Sequence, residues 1–77
     1  MENAVRGVEK VTGVPNVVYD ALAVLTETLE GAAALEVYKL DARDADDQQA
    51  LELFEGIQQQ QKEQINNLKA FIKQRLE

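Results

Sequence analysis

The position of the single proline constrains this chain more than any other feature. Pro15 is the only proline among the 77 residues, so no later proline interrupts a helix. After it, apolar residues recur at spacings of three and four, the pattern of an amphipathic α-helix. In the first such stretch they are Val18, Ala21, Leu22, Leu25, Leu29, Ala32 and Leu35. Because proline also suits the first turn of a helix, we predict a helix over about residues 15–40.

A second helical pattern follows a short acidic segment. Its apolar residues are Leu51, Phe54, Ile57, Ile65, Leu68, Phe71, Ile72 and Leu76. Asp44 is a suitable N-cap, and cations near residue 75 favour a helix C-terminus. We predict a second helix over about residues 45–75, and a short helix or arm over residues 1–14. The fold class is therefore all-α, a single-domain antiparallel helical hairpin.

The composition excludes several classes of function. There is no cysteine and no histidine, which removes disulfides, thiolate zinc sites and the commonest general base. The net charge of −6 opposes binding to nucleic acid and to anionic lipid. No stretch reaches the roughly 20 apolar residues of a membrane span. We expect a cytoplasmic protein without cofactor or catalytic residues.

Two groups of acidic residues are weighed as metal sites. The cluster at residues 41–47 lacks the alternate spacing and the glycine of a calcium-binding loop, so it is interpreted as a solvated turn. Glu27, Glu30 and Glu36 offer carboxylates in the first helix. Their positions beside the apolar stripe favour a solvated flank, and an atypical metal site is the alternative.

Uncharged polar residues interrupt the apolar stripes of both helices. Continuing the second helix from Phe54 and Ile57 leads through Gln61 and Gln64 before reaching Leu68, and Thr28 interrupts the first helix. A buried amide without a partner costs about 1–3 kcal/mol. We therefore expect these side chains to bond to each other or to water. They either fix the register of the helices, as buried asparagine does in coiled coils, or descend from a ligand site.

The stretch of residues 53–64, Leu-Phe-Glu-Gly-Ile-Gln-Gln-Gln-Gln-Lys-Glu-Gln, resembles the second helix of a helical pair in the rubrerythrin and ferritin-like family. Gln61 stands at the glutamate and Gln64 at the histidine of the family's Glu-x-x-His, and Thr28 stands at the first-helix glutamate. The resemblance covers about residues 20–72. It implies that two pairs form a four-helix bundle, which in the family surrounds a di-iron centre. Because all three ligand positions are neutral here, it implies a metal-free relative.

A lone hairpin would leave its apolar stripe in water, so we predict a homodimer, with a larger oligomer as the alternative. The predicted interface residues are Leu25, Leu29, Phe54, Ile57, Ile65, Leu68 and Phe71. The predicted function is non-catalytic self-association and binding of an unidentified protein partner. A metal-binding redox or storage protein is the second hypothesis. An acidic mimic of nucleic acid is the third.

Overall fold

The computed structural model describes residues 9–76, which contain two long helices and no strand. Helix α1 spans Asn16–Asp44 and helix α2 spans Gln48–Leu76. The two helices pack against each other as an antiparallel hairpin, which confirms the predicted fold class. Residues 9–12 form one helical turn before Pro15. The rest of the predicted lead-in, residues 1–8, lies outside the described residues.

The turn between the helices lies later in the sequence than predicted. Helix α1 ends at Asp44 rather than near residue 40, and helix α2 begins at Gln48 rather than near residue 45. The backbone N–H of Asp46 donates to the carbonyl of Arg43, and that of Asp47 donates to the carbonyl of Ala42. Asp46 has a φ of 54°, so these bonds form a Schellman motif with aspartate in the left-handed position. These bonds satisfy the last carbonyls of α1, which continues to Asp44.

The N-cap of α2 is Asp47, and the prediction of Asp44 for this role is wrong. A carboxylate oxygen of Asp47 accepts a hydrogen bond of 2.9 Å from the backbone N–H of Ala50. The carbonyl of Asp47 accepts the first helical bond, from Leu51. Because Asp44 is the last residue of α1, its backbone is already helical and cannot start the second helix.

The buried and half-buried residues follow a seven-residue repeat on both helices. On α1 they include Val18, Ala21, Leu25, Thr28, Ala32, Leu35, Lys39 and Ala42. On α2 they include Leu51, Phe54, Gln58, Gln61, Ile65, Leu68 and Ile72. Alternate spacings of three and four are the a and d positions of a coiled coil. We call these fifteen residues the seam.

The hairpin is a single layer of two helices. The Cα atoms extend over 52 × 25 × 14 Å, and their radius of gyration is 16.7 Å, whereas a compact domain of this length has about 11–12 Å. Among the described residues, the buried apolar side chains are Val18, Leu35, Ala42 and Ile72, and of these Val18 is fully buried. Neither described helix combines the length and apolar character that crossing a bilayer requires.

Candidate interaction surface

A polar cluster joins the two helices near the turn. The side-chain amide of Gln58 donates to the carbonyl of Ala32 at 3.0 Å and to the carboxylate of Glu36 at 2.8 Å. Its carbonyl oxygen accepts a bond of 2.9 Å from the ammonium of Lys39, which is also paired with Glu36 at 2.6 Å. The hydrogen bond from Lys39 lowers the pKa of the Glu36 carboxyl, and the bond from Gln58 lowers it further. This cluster fixes the axial position of α2 on α1.

One turn further along α2, Gln61 lies in the seam without such partners. Its Oε1 is buried and has no hydrogen-bond partner among the described residues. Its Nε2 lies 3.1 Å from the point where a Cβ on Gly31 would stand. The absent side chain at Gly31 therefore provides the room that the glutamine amide occupies. The unsatisfied oxygen costs stability, since burial removes the water that would otherwise bond to it.

The predicted polar layer of Thr28, Gln61 and Gln64 is only partly confirmed. Thr28 and Gln61 are half-buried in the seam, whereas Gln64 is exposed in the single hairpin, so its predicted burial depends on the predicted dimer. The Thr28 hydroxyl donates to the carbonyl of Val24 in its own helix at 2.8 Å. No hydrogen bond joins the three side chains, which leaves water as the expected partner. The polar side chains that do bond across the seam are Lys39 and Gln58, which sequence reasoning missed.

The carboxylates considered as an atypical metal site lie outside the seam. Glu27, Glu30 and Glu36 are all exposed, as the solvated-flank interpretation predicts. Glu36 is engaged by Lys39 and Gln58. Within residues 9–76, no group of three or more acidic side chains has the arrangement of a metal site.

The two edges of the seam differ sharply in charge. On one edge, the g positions of the heptad, every residue is uncharged. Those on α1 are Val17, Val24, Gly31 and Tyr38. Those on α2 are Ala50, Ile57, Gln64 and Phe71. Equal heptad positions of an antiparallel pair lie along the same groove, so these eight residues form one surface, which we call the uncharged face.

The opposite edge, the e positions, is mostly charged. Its residues on α1 are Leu22, Leu29, Glu36 and Arg43. Its residues on α2 are Gln48, Glu55, Lys62, Lys69 and Leu76. We call this surface the charged face. Both charge signs occur on this face of each helix, which is typical of a solvated coiled-coil edge.

Aromatic contacts organise the uncharged face. The ring of Tyr38 lies 6.3 Å from that of Phe54 at an interplanar angle of 59°, a tilted arrangement that favours edge-to-face attraction. At the other end, the guanidinium of Arg75 lies 4.5 Å above the ring of Phe71. Between them, Ile57 is 37% exposed and Val24 is 49% exposed. Exposed apolar side chains therefore lie between the Tyr38 and Phe71 ends of this face.

The predicted interface residues divide among three locations. Four of them belong to the seam and are half-buried within the hairpin: Leu25, Phe54, Ile65 and Leu68. Ile57 and Phe71 lie on the uncharged face, and Leu29, which is 49% exposed, lies on the charged face. The structure thus assigns part of the predicted stripe to contacts within one chain. The exposed part remains available to a partner.

Comparison of the chain with models of known protein families, with curated proteins and with solved structures finds no match.

Proposed function

We propose that this protein is a non-catalytic helical-hairpin module that acts through self-association, as a homodimeric four-helix bundle in the cytoplasm, and through binding of a further protein. The observation that carries the proposal is the single-layer architecture with exposed apolar side chains. Stable domains have at least two packed layers of secondary structure around their core. A layer 14 Å thick, in which only four apolar residues of the described part are buried, therefore supports the packing of a second layer on it.

The outer side of α1 supports the further partner. Tyr19, Val37 and Leu40 are exposed there by 45–57%, and Leu22 and Leu29 are exposed by 39% and 49% on the adjoining charged face. A group of exposed apolar side chains is typical of a surface that contacts another protein. A second hairpin covers one face of the layer, so part of this surface stays available after dimerisation. The identity of the partner is not part of the proposal.

The test is the mass of the full-length chain in solution, measured by sedimentation equilibrium over a range of micromolar concentrations. The proposal expects a species of twice 8.6 kDa. A folded helical monomer at these concentrations would overturn it. A discrete species larger than the dimer would replace the four-helix bundle with the larger oligomer, and self-association would stand.

A further inference from the structure

Two independent features of the described hairpin indicate how a second copy packs on it. The first is the difference between its two faces. The eight residues of the uncharged face include no ionisable group except the Tyr38 phenol, and the one charge shown against them is the Arg75 guanidinium over Phe71 at the open end, whereas the charged face carries five Glu, Arg or Lys side chains. Burying a charge without a partner is costly, so the layer that covers the hairpin is expected on the uncharged face.

The area of this face is adequate for a stable contact. Each helix has 29 residues and, at 1.5 Å per residue, a length of about 42 Å. The side of the two-helix layer that carries the uncharged face is about 20 Å wide, so the whole side offers about 800 Å², which is what each partner buries in a standard protein interface.

The second feature is the distribution of charge along the hairpin. Residues 36–55, around the turn, contain seven acidic and two basic side chains. The opposite end, residues 9–20 and 69–77, contains four basic and three acidic side chains. Two hairpins with their turns together would bring the two acidic ends into contact. With the turn of one beside the open end of the other, each acidic end meets an end with a small excess of basic side chains, and the repulsion between the two acidic ends is avoided.

The geometry points to a dimer in which two copies pack through their uncharged faces with the turn of each against the open end of the other. This inference rests on the proposed self-association and specifies its surface and direction. A two-fold axis then crosses the helices near their midpoints, close to Gly31 and Gln64. It places α1 over α1 and α2 over α2 of the second copy, with Gln64 near its own counterpart.

Disulfide trapping tests this arrangement, and the absence of native cysteine allows single cysteines to be introduced without background. A disulfide needs Cα atoms within about 7 Å of each other. Because the proposed arrangement places Gln64 near its own counterpart, Gln64→Cys is expected to form a covalent dimer in a glutathione redox buffer. Lys62→Cys lies at the same level on the charged face and serves as the matched control. Its yield of covalent dimer is expected not to exceed the yield from random collisions between unfolded chains in urea.

The results of this experiment test the direction in which the two copies pack, and sedimentation tests whether a dimer exists. With the turns together, Gln64 would face α1 of the second copy, so Gln64→Cys would not cross-link preferentially. Faster trapping of Lys62→Cys would place the contact on the charged face. Either result in a chain that sediments as a dimer overturns the arrangement alone. A monomer by sedimentation overturns the proposed function as well.

A matched pair of charge substitutions provides a test without covalent chemistry. Ile57→Glu places a carboxylate on the uncharged face of both copies, and Leu29→Glu makes the same kind of change on the charged face. Both side chains are exposed in the hairpin, so neither change removes a buried residue. We expect Ile57→Glu to raise the dimer Kd by at least about tenfold. An unchanged Kd for Ile57→Glu, or a larger effect of Leu29→Glu, would contradict the inference.

Discussion

Gln58 and Gln61 lie one turn apart in the same seam, and the structure predicts opposite results for the same substitution at each. Gln61 has a buried oxygen without a partner, whereas Gln58 bonds to Ala32, Glu36 and Lys39. Methionine follows the path of a glutamine side chain and has nearly the same helix propensity. Replacing each glutamine by methionine therefore changes mainly its hydrogen bonding.

The magnitudes follow from the cost of unsatisfied polar groups. Gln61→Met removes a buried acceptor that costs about 1–3 kcal/mol, so the free energy of unfolding should rise by up to that amount. Gln58→Met leaves the ammonium of Lys39, whose side chain is 14% exposed, with Glu36 alone. We expect it to lower the free energy of unfolding by about 1–3 kcal/mol. In a domain of this size, 1 kcal/mol shifts Tm by about 4–8 °C.

Thermal and urea unfolding followed by circular dichroism at 222 nm measures both changes. All variants must be compared at one protein concentration, because the Tm of a dimer depends on concentration. Gln60→Met makes the same chemical change at an exposed position and should stay within about 0.5 kcal/mol of the parent. A loss of stability in Gln61→Met would refute the reasoning and show that its amide oxygen has a partner in solution.

Three further predictions concern the turn, the glycines and acid stability. Asp46→Gly should raise the free energy of unfolding by up to about 1 kcal/mol, seen as a higher urea midpoint, because glycine adopts a φ of 54° without a Cβ clash. Asp46→Ala should lower the urea midpoint. Gly56→Ala should raise the free energy of unfolding by about 0.5–1 kcal/mol, because alanine has the higher helix propensity. Gly31→Ala should raise it less, since the new Cβ would lie 3.1 Å from the Gln61 amide. Equal gains for the two variants would contradict this prediction. The lowered pKa of Glu36 means that its stabilising effect is full above about pH 4.3 and is lost as pH falls through the folded-state pKa. On acidification, the Tm of Glu36→Gln should therefore fall less than the Tm of the parent. If Tm falls equally with pH in both proteins, the cluster of Glu36, Lys39 and Gln58 does not stabilise the fold as described.

The helix pairing was predictable from the sequence, but the register of its seam was not. Helix α2 carries apolar residues at both Phe54 and Ile57 and again at both Phe71 and Ile72, so its apolar stripe is wider than one seam. Stepping from Phe54 to Ile57 leads along the uncharged face to Gln64. Stepping from Phe54 to Gln58 leads along the true seam to Gln61 and Ile65. Hydrophobicity favours the first path, and the second is correct because Lys39, Glu36 and Ala32 satisfy the amide of Gln58.

The helix boundaries were obscured by the chemistry of the turn. Asp41, Asp44, Asp46 and Asp47 are all suitable N-caps by residue type, and only the backbone geometry selects Asp47. A glycine usually marks the left-handed residue at a helix C-terminus, but here that residue is Asp46. The sequence signal that would end α1 at the correct residue is therefore absent, and the predicted helix stopped near residue 40.

The resemblance to the rubrerythrin and ferritin-like family remains a prediction, and the structure shows what a test of it requires. Thr28 and Gln61 lie in the seam of one hairpin, while Gln64 lies on its uncharged face. The three positions therefore approach the interior of a bundle only when a second copy covers that face. A variant with Thr28→Glu, Gln61→Glu and Gln64→His would restore the ligand types of the family at the aligned positions.

We expect the triple variant to be less stable than the parent without metal, because unpaired buried charges cost about 3–5 kcal/mol. Added Fe²⁺ or Co²⁺ should restore its Tm, since the metal binds the folded dimer better than the unfolded chain. The parent, treated identically, should show no such recovery. A variant that melts at the parent's temperature without metal would place all three positions in solvent. A destabilised variant that no divalent metal rescues would leave the seam assignment intact and make the family alignment accidental.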